Sequence, residues 1–127
     1  MILSQFDYIS REEADSLLKS ICNIKHKTLA MIMLDAGLRV SETISLQLKN
    51  FDFKRQELNV FSLKKRGDKS LRTIPISNRL LSCLADYIHT LPLLEPDIYL
   101  FPSCNRNNTG FHMDRTSVFK IINLHYN

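Results

Sequence analysis

Long apolar runs, cysteine, glycine and proline are all scarce in this sequence. The longest fully apolar stretch, Leu29 to Leu34, has six residues, far short of the ~20 a membrane-spanning helix needs. The opening MILSQFDYISREE has neither a basic start nor an extended apolar core, so no secretory signal is read there. Three cysteines, Cys22, Cys83 and Cys104, lie too far apart for a disulfide framework and suit a reducing cytoplasm. Three glycines and four prolines exclude collagen-like and disordered classes. No glycine-rich phosphate loop occurs, so no nucleotide cofactor is expected. Cys22 with His26, and Cys104 with His112, do not complete a zinc set, so no metal is expected either. His89 and His125 have no catalytic partner nearby in sequence. What remains is a chain of 127 residues, 44% hydrophobic and 24% charged. Those values fit one soluble domain spanning residues 1–127, without a membrane partner.

Charge is informative once divided along the chain. Residues 1–48 hold five Lys/Arg against six Asp/Glu, and residues 73–127 hold four against four. The entire formal charge of +4 therefore sits in residues 49–72, on Lys49, Lys54, Arg55, Lys64, Lys65, Arg66, Lys69 and Arg72. A basic patch on a near-neutral body is the footprint of a polyanion binder. The plainer alternative is a solvated hairpin whose lysines discourage edge pairing.

Ser10-Arg-Glu-Glu13 has capping-box spacing and predicts a helix to about Ile21, with Ala14, Leu17, Leu18 and Ile21 inward. Asn23 caps a second helix to about Ala36, apolar all round through Leu29–Leu34 and therefore central. Gly37 ends it as a left-handed cap. Val40 to Leu48 reads as a short third helix. The period then changes, and three strands are expected at Asn50–Lys54, Glu57–Lys64 and Leu71–Ile76. Pro75 favours an edge position for the third. Alternation of Phe51, Phe53 and Phe61 is read as sheet packing, not as a base-stacking platform. Ser77 caps a helix from Arg79 to about Thr90, with Leu80, Leu81, Leu84 and Ile88 inward, and Asp114 caps a last one to about Asn123. The fold class is α+β, mostly helical, with a small three-stranded antiparallel sheet.

Arg39 lies between the glycine-ended helix and the next one. A guanidinium at such a junction needs a partner, either Glu42 three residues on or an outside anion. Ala36-Gly-Leu-Arg-Val-Ser-Glu-Thr-Ile-Ser-Leu46 resembles the first arginine box of the tyrosine recombinases, or phage integrases. Ser62-Leu-Lys-Lys-Arg-Gly-Asp-Lys-Ser-Leu-Arg-Thr-Ile-Pro-Ile76 resembles their lysine-bearing hairpin with its Arg-x-x-Pro ending. Leu100-Phe-Pro-Ser103 and the Arg115–Ile122 helix resemble the segments before the second box, and Tyr8-Ile-Ser-Arg-Glu-Glu13 resembles the opening of the catalytic domain.

The resemblance implies metal-free breakage and rejoining of double-stranded DNA. A tyrosine attacks the scissile phosphate, forms a 3′-phosphotyrosyl link and releases a 5′-hydroxyl for strand exchange. Cations must gather around the pentacoordinate phosphate, and an acid must protonate the leaving oxygen. By resemblance Arg39 supplies a planar fork to two phosphate oxygens, and Glu42 orients Arg39. Lys64 or Lys65 is the hairpin acid; an ungapped match lands on Lys64, but the turn is longer than usual and leaves both open. Lys49, Lys54, Arg55, Arg66, Lys69 and Arg72 are expected to bind DNA.

One departure matters most. No His-x-x-Arg box, later His or Trp, or nucleophilic Tyr follows the Arg115 helix before Asn127. His112-Met-Asp-Arg115 spells the box but precedes the helix that should come before it, and is read as coincidence. Tyr126 is expected to have no helix to hold it, and Tyr8, Tyr87 and Tyr99 to pack. The chain is thus expected to be the first half of a catalytic domain, without the upstream clamping domain, and inactive alone. Missing cover should expose apolar faces of Leu29–Leu34 and Val118–Ile122, favouring docking onto itself or a full-length recombinase. The competing expectations are a non-catalytic DNA-binding or regulatory module, and a protein-interaction domain.

Overall fold

The computed structural model describes residues 10–63, 69–92, 94–103 and 112–126, with side chains throughout except at 62, 63, 69 and 122–126. Five α-helices and one sheet follow in the order α1 (Arg11–Ser20), α2 (Ile24–Asp35), α3 (Val40–Ile44), β1 (Phe51–Asp52), β2 (Glu57–Leu63), β3 (Lys69–Pro75), α4 (Asn78–Ile88) and α5 (Arg115–Tyr126). The α+β class with a three-stranded antiparallel sheet is as expected.

The helix starts form where the caps predict them. Ser10 Oγ accepts from Glu13 N at 3.1 Å while Ser10 N donates to Glu13 Oε1 at 3.3 Å, closing the box. Asn23 Oδ1 accepts from the amides of Lys25 and His26, Ser77 Oγ from Leu80 N, and Asp114 Oδ1 from Ser117 N. The Ser117 amide also holds the Asp114 carboxyl below its ordinary range. These bonds satisfy amides that a first turn leaves without a helical partner.

α2 is the central element. Thr28 to Met33 are all buried, and α4 packs on it through Leu80, Cys83, Leu84 and Tyr87. Thr28 is tolerated there because its Oγ1 donates to Ile24 O at 2.7 Å. Leu17 and Leu18 of α1, its C-cap Ile21, and Val118 of α5 close the same core. The expectation that Leu29–Leu34 and Val118–Ile122 lie bare is corrected. Leu29, Ala30, Ile32 and Val118 have zero exposure, and Leu34 and Ile121 pack partly buried against the core. Here α1, α3 and α4 cover α2, and α1 and α3 cover α5.

Two boundaries differ from the expected ones for a physical reason. α3 stops at Ile44, because the next backbone groups pair with a distant segment. Leu100 N donates to Leu46 O at 2.9 Å and Leu48 N to Ile98 O at 3.0 Å, which leaves Leu46 outside any helix and Leu48 at the start of a separate 3-10 turn, Leu48–Asn50. β1 is cut to two residues because the chain turns at once, with Asp52 Oδ1 accepting from Arg55 N. Gln56 then takes a left-handed φ of 56°, a region that L-residues seldom enter. It is held there by Gln56 Nε2 donating to Ile76 O and Asn78 Oδ1. The sheet order is β1-β2-β3, so Pro75 does lie on an edge strand.

Helices α1, α2 and α4 are tied by charge at one end. Arg79 Nε donates to Asp35 Oδ2 at 2.7 Å, and its Nη2 contacts Asp35 Oδ1. Arg79 Nη1 reaches Asp15 Oδ1 at 3.1 Å, and Ser77 Oγ bonds Asp35 Oδ2 at 2.9 Å. The Arg79 hydrogen bond is the main cause that holds the Asp35 carboxyl below its ordinary 3.8. A carboxylate depressed on folding stabilises above its unfolded pKa, and that contribution is lost as pH falls through the lowered folded value. Arg79→Met should therefore cost about 1–3 kcal/mol at neutral pH, by leaving Asp35 with the Ser77 hydroxyl but no guanidinium. The difference from the parent should shrink once pH drops below 3.8. Urea unfolding at several pH values checks both, and a pH-independent difference would refute the assignment.

Candidate nucleic-acid interface

The turn after α2 aims the arginine box. Gly37 adopts φ 70°, which reverses the chain without a Cβ clash, and Leu38 then anchors in the core. Arg39 follows as the N-cap of α3, its side chain outside the core and exposed. Its carbonyl is fixed twice, by Thr43 N at 2.9 Å and by Thr43 Oγ1 at 2.9 Å. Thr43 is fully buried, so the hydroxyl is part of the scaffold under the box.

Glu42 closes this arrangement in a way the sequence did not suggest. Its Oε1 accepts from the Arg39 backbone amide at 3.0 Å. The same carboxylate takes Arg72 Nη2 at 3.3 and 3.5 Å. Glu42 therefore holds the Arg39 backbone and also clasps the arginine of β3, a second partner the sequence reading did not name. Arg72 can reach it because Arg72 pairs with buried Val60 in the β2–β3 register, on the sheet face that packs on the helices. The Glu42 side chain is only 13% exposed and that of Arg72 51%. A carboxylate so enclosed is stabilised by both the amide and the guanidinium.

The other expected residues are placed unevenly. Lys64, Lys65 and Arg66 fall outside the described residues. Lys69 opens β3, with its side chain outside them. Lys49 is paired with Asp97 at 2.9 Å, and Arg55 approaches Asp52 at 4.0 Å. Lys54 is exposed and has no ion pair among the described residues. Part of the basic stretch is thus locally neutralised, which sequence counting overlooked because Asp97 lies 48 positions from Lys49. Such exposed pairs contribute only ~0–1 kcal/mol and open readily.

The structure also places several other residues that the sequence singled out. Tyr87 packs, donating from Oη to Leu100 O at 2.6 Å and stacking on Phe101. Tyr99 meets the His112 ring edge-on, and His112 Nδ1 lies 2.7 Å from Met113 O, so His112 has a packing position. Arg115 lies over the Phe119 ring. Tyr8 lies outside the described residues. Tyr126 is the last residue of α5, which runs three residues past Asn123; the expectation that no helix holds it is corrected. Phe51 packs as expected, but Phe53 is 43% and Phe61 62% exposed, so Phe61 is not core packing. Among the described residues no three His, Cys, Asp or Glu converge as a metal site. None of the described helices is long and apolar enough to cross a membrane.

Comparison with known proteins agrees with this layout. The family model described as "Phage integrase family" matches residues 7–124. The tyrosine recombinase XerA of Pyrococcus horikoshii is 32% identical over 99 residues, which cover 78% of this chain and 33% of XerA. A crystal structure of XerA recombinase superposes with a TM-score of 0.74 at 22% identity, over 93% of this chain and 40% of that one. XerH recombinase bound to its difH substrate superposes with a TM-score of 0.62 at 19% identity, over 92% of this chain and 36% of that one. The chain spans about a third of the length of the curated relatives it matches. With nearly its whole length matched to the family model, this chain is a member of the phage integrase family.

Proposed function

We propose that these 127 residues carry the DNA-holding first half of a site-specific recombinase centre: the arginine box and the basic hairpin. One observation carries the reading. The exposed Arg39 leaves a backbone fixed at both ends, by Thr43 below and by Glu42 beside it, and Glu42 is tied in turn to the hairpin strand through Arg72. A planar fork presented on a rigid junction suits two oxygens of one phosphodiester.

In this reading Arg39 binds the scissile phosphate and stabilises charge as its phosphorus becomes pentacoordinate. Lys64 or Lys65 protonates the departing 5′-oxygen. Lys49, Lys54, Arg55, Arg66 and Lys69 contact flanking phosphates, and Arg72 serves DNA mainly by holding Glu42. The chemistry asks for no cofactor. Free Cys22 and Cys83 suit a cytoplasmic setting. The partner is duplex DNA, together with the remaining recombinase segments or a full-length recombinase that would supply the second arginine and the nucleophile.

Replacing Lys64, Lys65 and Arg66 by Ala should weaken DNA binding and flatten its log K against log salt slope by up to about three units. Lys49→Ala should change the slope less than Lys54→Ala, since Asp97 already compensates Lys49. A slope that the triple replacement leaves unchanged would make the hairpin plain surface. Strand transfer needs a nucleophile held in line, worth ~7–11 kcal/mol in well-oriented cases. The 127 residues alone should therefore give no covalent adduct on a nicked duplex. An adduct lost in Tyr126→Phe would overturn this and assign the nucleophile to the end of α5.

A further inference from the structure

Helices α1 and α4 both pack on α2, and a cleft of about 460 Å³ lies between the three. Its floor is apolar, with buried Leu18, Met31 and Cys83 lining it. The Cys83 thiol offers the cleft no donor. Thr28 Oγ1 directs its one proton to Ile24 O, so Cys83 Sγ at 3.2 Å is the donor to Thr28 Oγ1. The bond from Arg79 Nη1 to Asp15 Oδ1 closes one end of the cleft. The remaining charges divide by helix: Lys19 comes from α1 and half-buried Lys27 from α2, whereas Asp86 comes from α4. None of these three has an ion pair among the described residues. No lining residue belongs to the arginine box or to the hairpin.

We propose that this cleft is a docking groove for an acidic amphipathic helix of a partner protein, independent of the DNA reading above. Backbone chemistry selects a helix. The walls are helices whose amides and carbonyls are already paired, so an extended guest would find no ladder and leave its own backbone groups unmet. A helix brings its hydrogen bonds with it. On α4 the lining residues Arg79 to Asp86 recur at helical spacing over ~10 Å, the length of two turns of guest helix. Charge selects its flanks. Lys19 and Lys27 suit acids on the side toward α1 and α2, and Asp86 disfavours them toward α4. Asp86 beside an apolar floor also speaks against duplex DNA as the guest. The cleft is open to solvent, whereas a small molecule needs about 70–90% of its surface enclosed. A symmetric pairing with a second copy would set one concave surface against another and fill neither.

The test uses two fluorescent, stapled helical peptides of about four turns, long enough to hold a helix once stapled. Both carry leucines at i, i+3, i+4 and i+7; one has glutamates along a flank and the other has lysines there. In fluorescence anisotropy with the 127-residue chain, the glutamate peptide should bind about tenfold more tightly than the lysine peptide. Lys19→Glu/Lys27→Glu should reverse that order, and its gain of the lysine peptide would itself show that the variant is folded. Excess duplex DNA should leave the glutamate peptide bound. Failure of both peptides to bind, or an order of affinity that the charge reversal leaves unchanged, would overturn the groove. Displacement by DNA would assign the cleft to the DNA surface and overturn it too. Self-association of the parent that Lys19→Glu/Lys27→Glu abolishes would make a second copy the occupant, with the same consequence.

Discussion

The Glu42 carboxylate is the joint on which the arginine box and the hairpin depend. It receives the Arg39 amide from one side and the Arg72 guanidinium from the other. The first bond is a helix-capping contact, favourable also because a negative charge sits at the start of α3. The second crosses 30 residues of sequence and fastens a sheet that α3 otherwise touches mainly through apolar packing. Removing either partner would take a donor from a nearly enclosed carboxylate, which costs more than the same loss at an exposed one.

Everything beneath this joint keeps it in place. α2 is buried on every side over Thr28–Met33, so its end at Asp35 is a fixed point. Arg79 and Ser77 grip Asp35 there, which sets α4 against α2. Gly37 then turns the chain, and Leu38 and Val40 enter the core on either side of Arg39. With both neighbours buried, Arg39 is left outside the core. The position of this arginine is therefore a consequence of apolar packing two residues wide.

Local features of the fold were legible in the sequence because their causes are local. Ser10, Asn23, Ser77 and Asp114 each cap the helix they announce, and the all-round apolar Leu29–Leu34 did mark the central one. Arg39 at the start of a helix was legible too, since glycine and the box surround it. Long-range partners were not. α3 falls short of Leu48 because Leu46 and Leu48 pair with Ile98 and Leu100, and no periodicity within α3 reports that. Glu42 seemed to belong to Arg39 by its three-residue spacing, whereas a strand register that brings Arg72 opposite Val60 decides its second partner. Phe61 alternates like a packing residue, yet no described helix covers it.

A double-mutant cycle at Glu42 and Arg72 measures this joint most directly. Glu42→Gln, Arg72→Met and the double variant would be compared with the parent by urea unfolding at neutral pH. A charge-assisted bond to a carboxylate this enclosed should give a coupling of about 1–2 kcal/mol, with the double variant less damaged than the sum of the single ones. Additivity to within about 0.3–0.5 kcal/mol would contradict the linkage and leave the arginine box and the hairpin as independent neighbours.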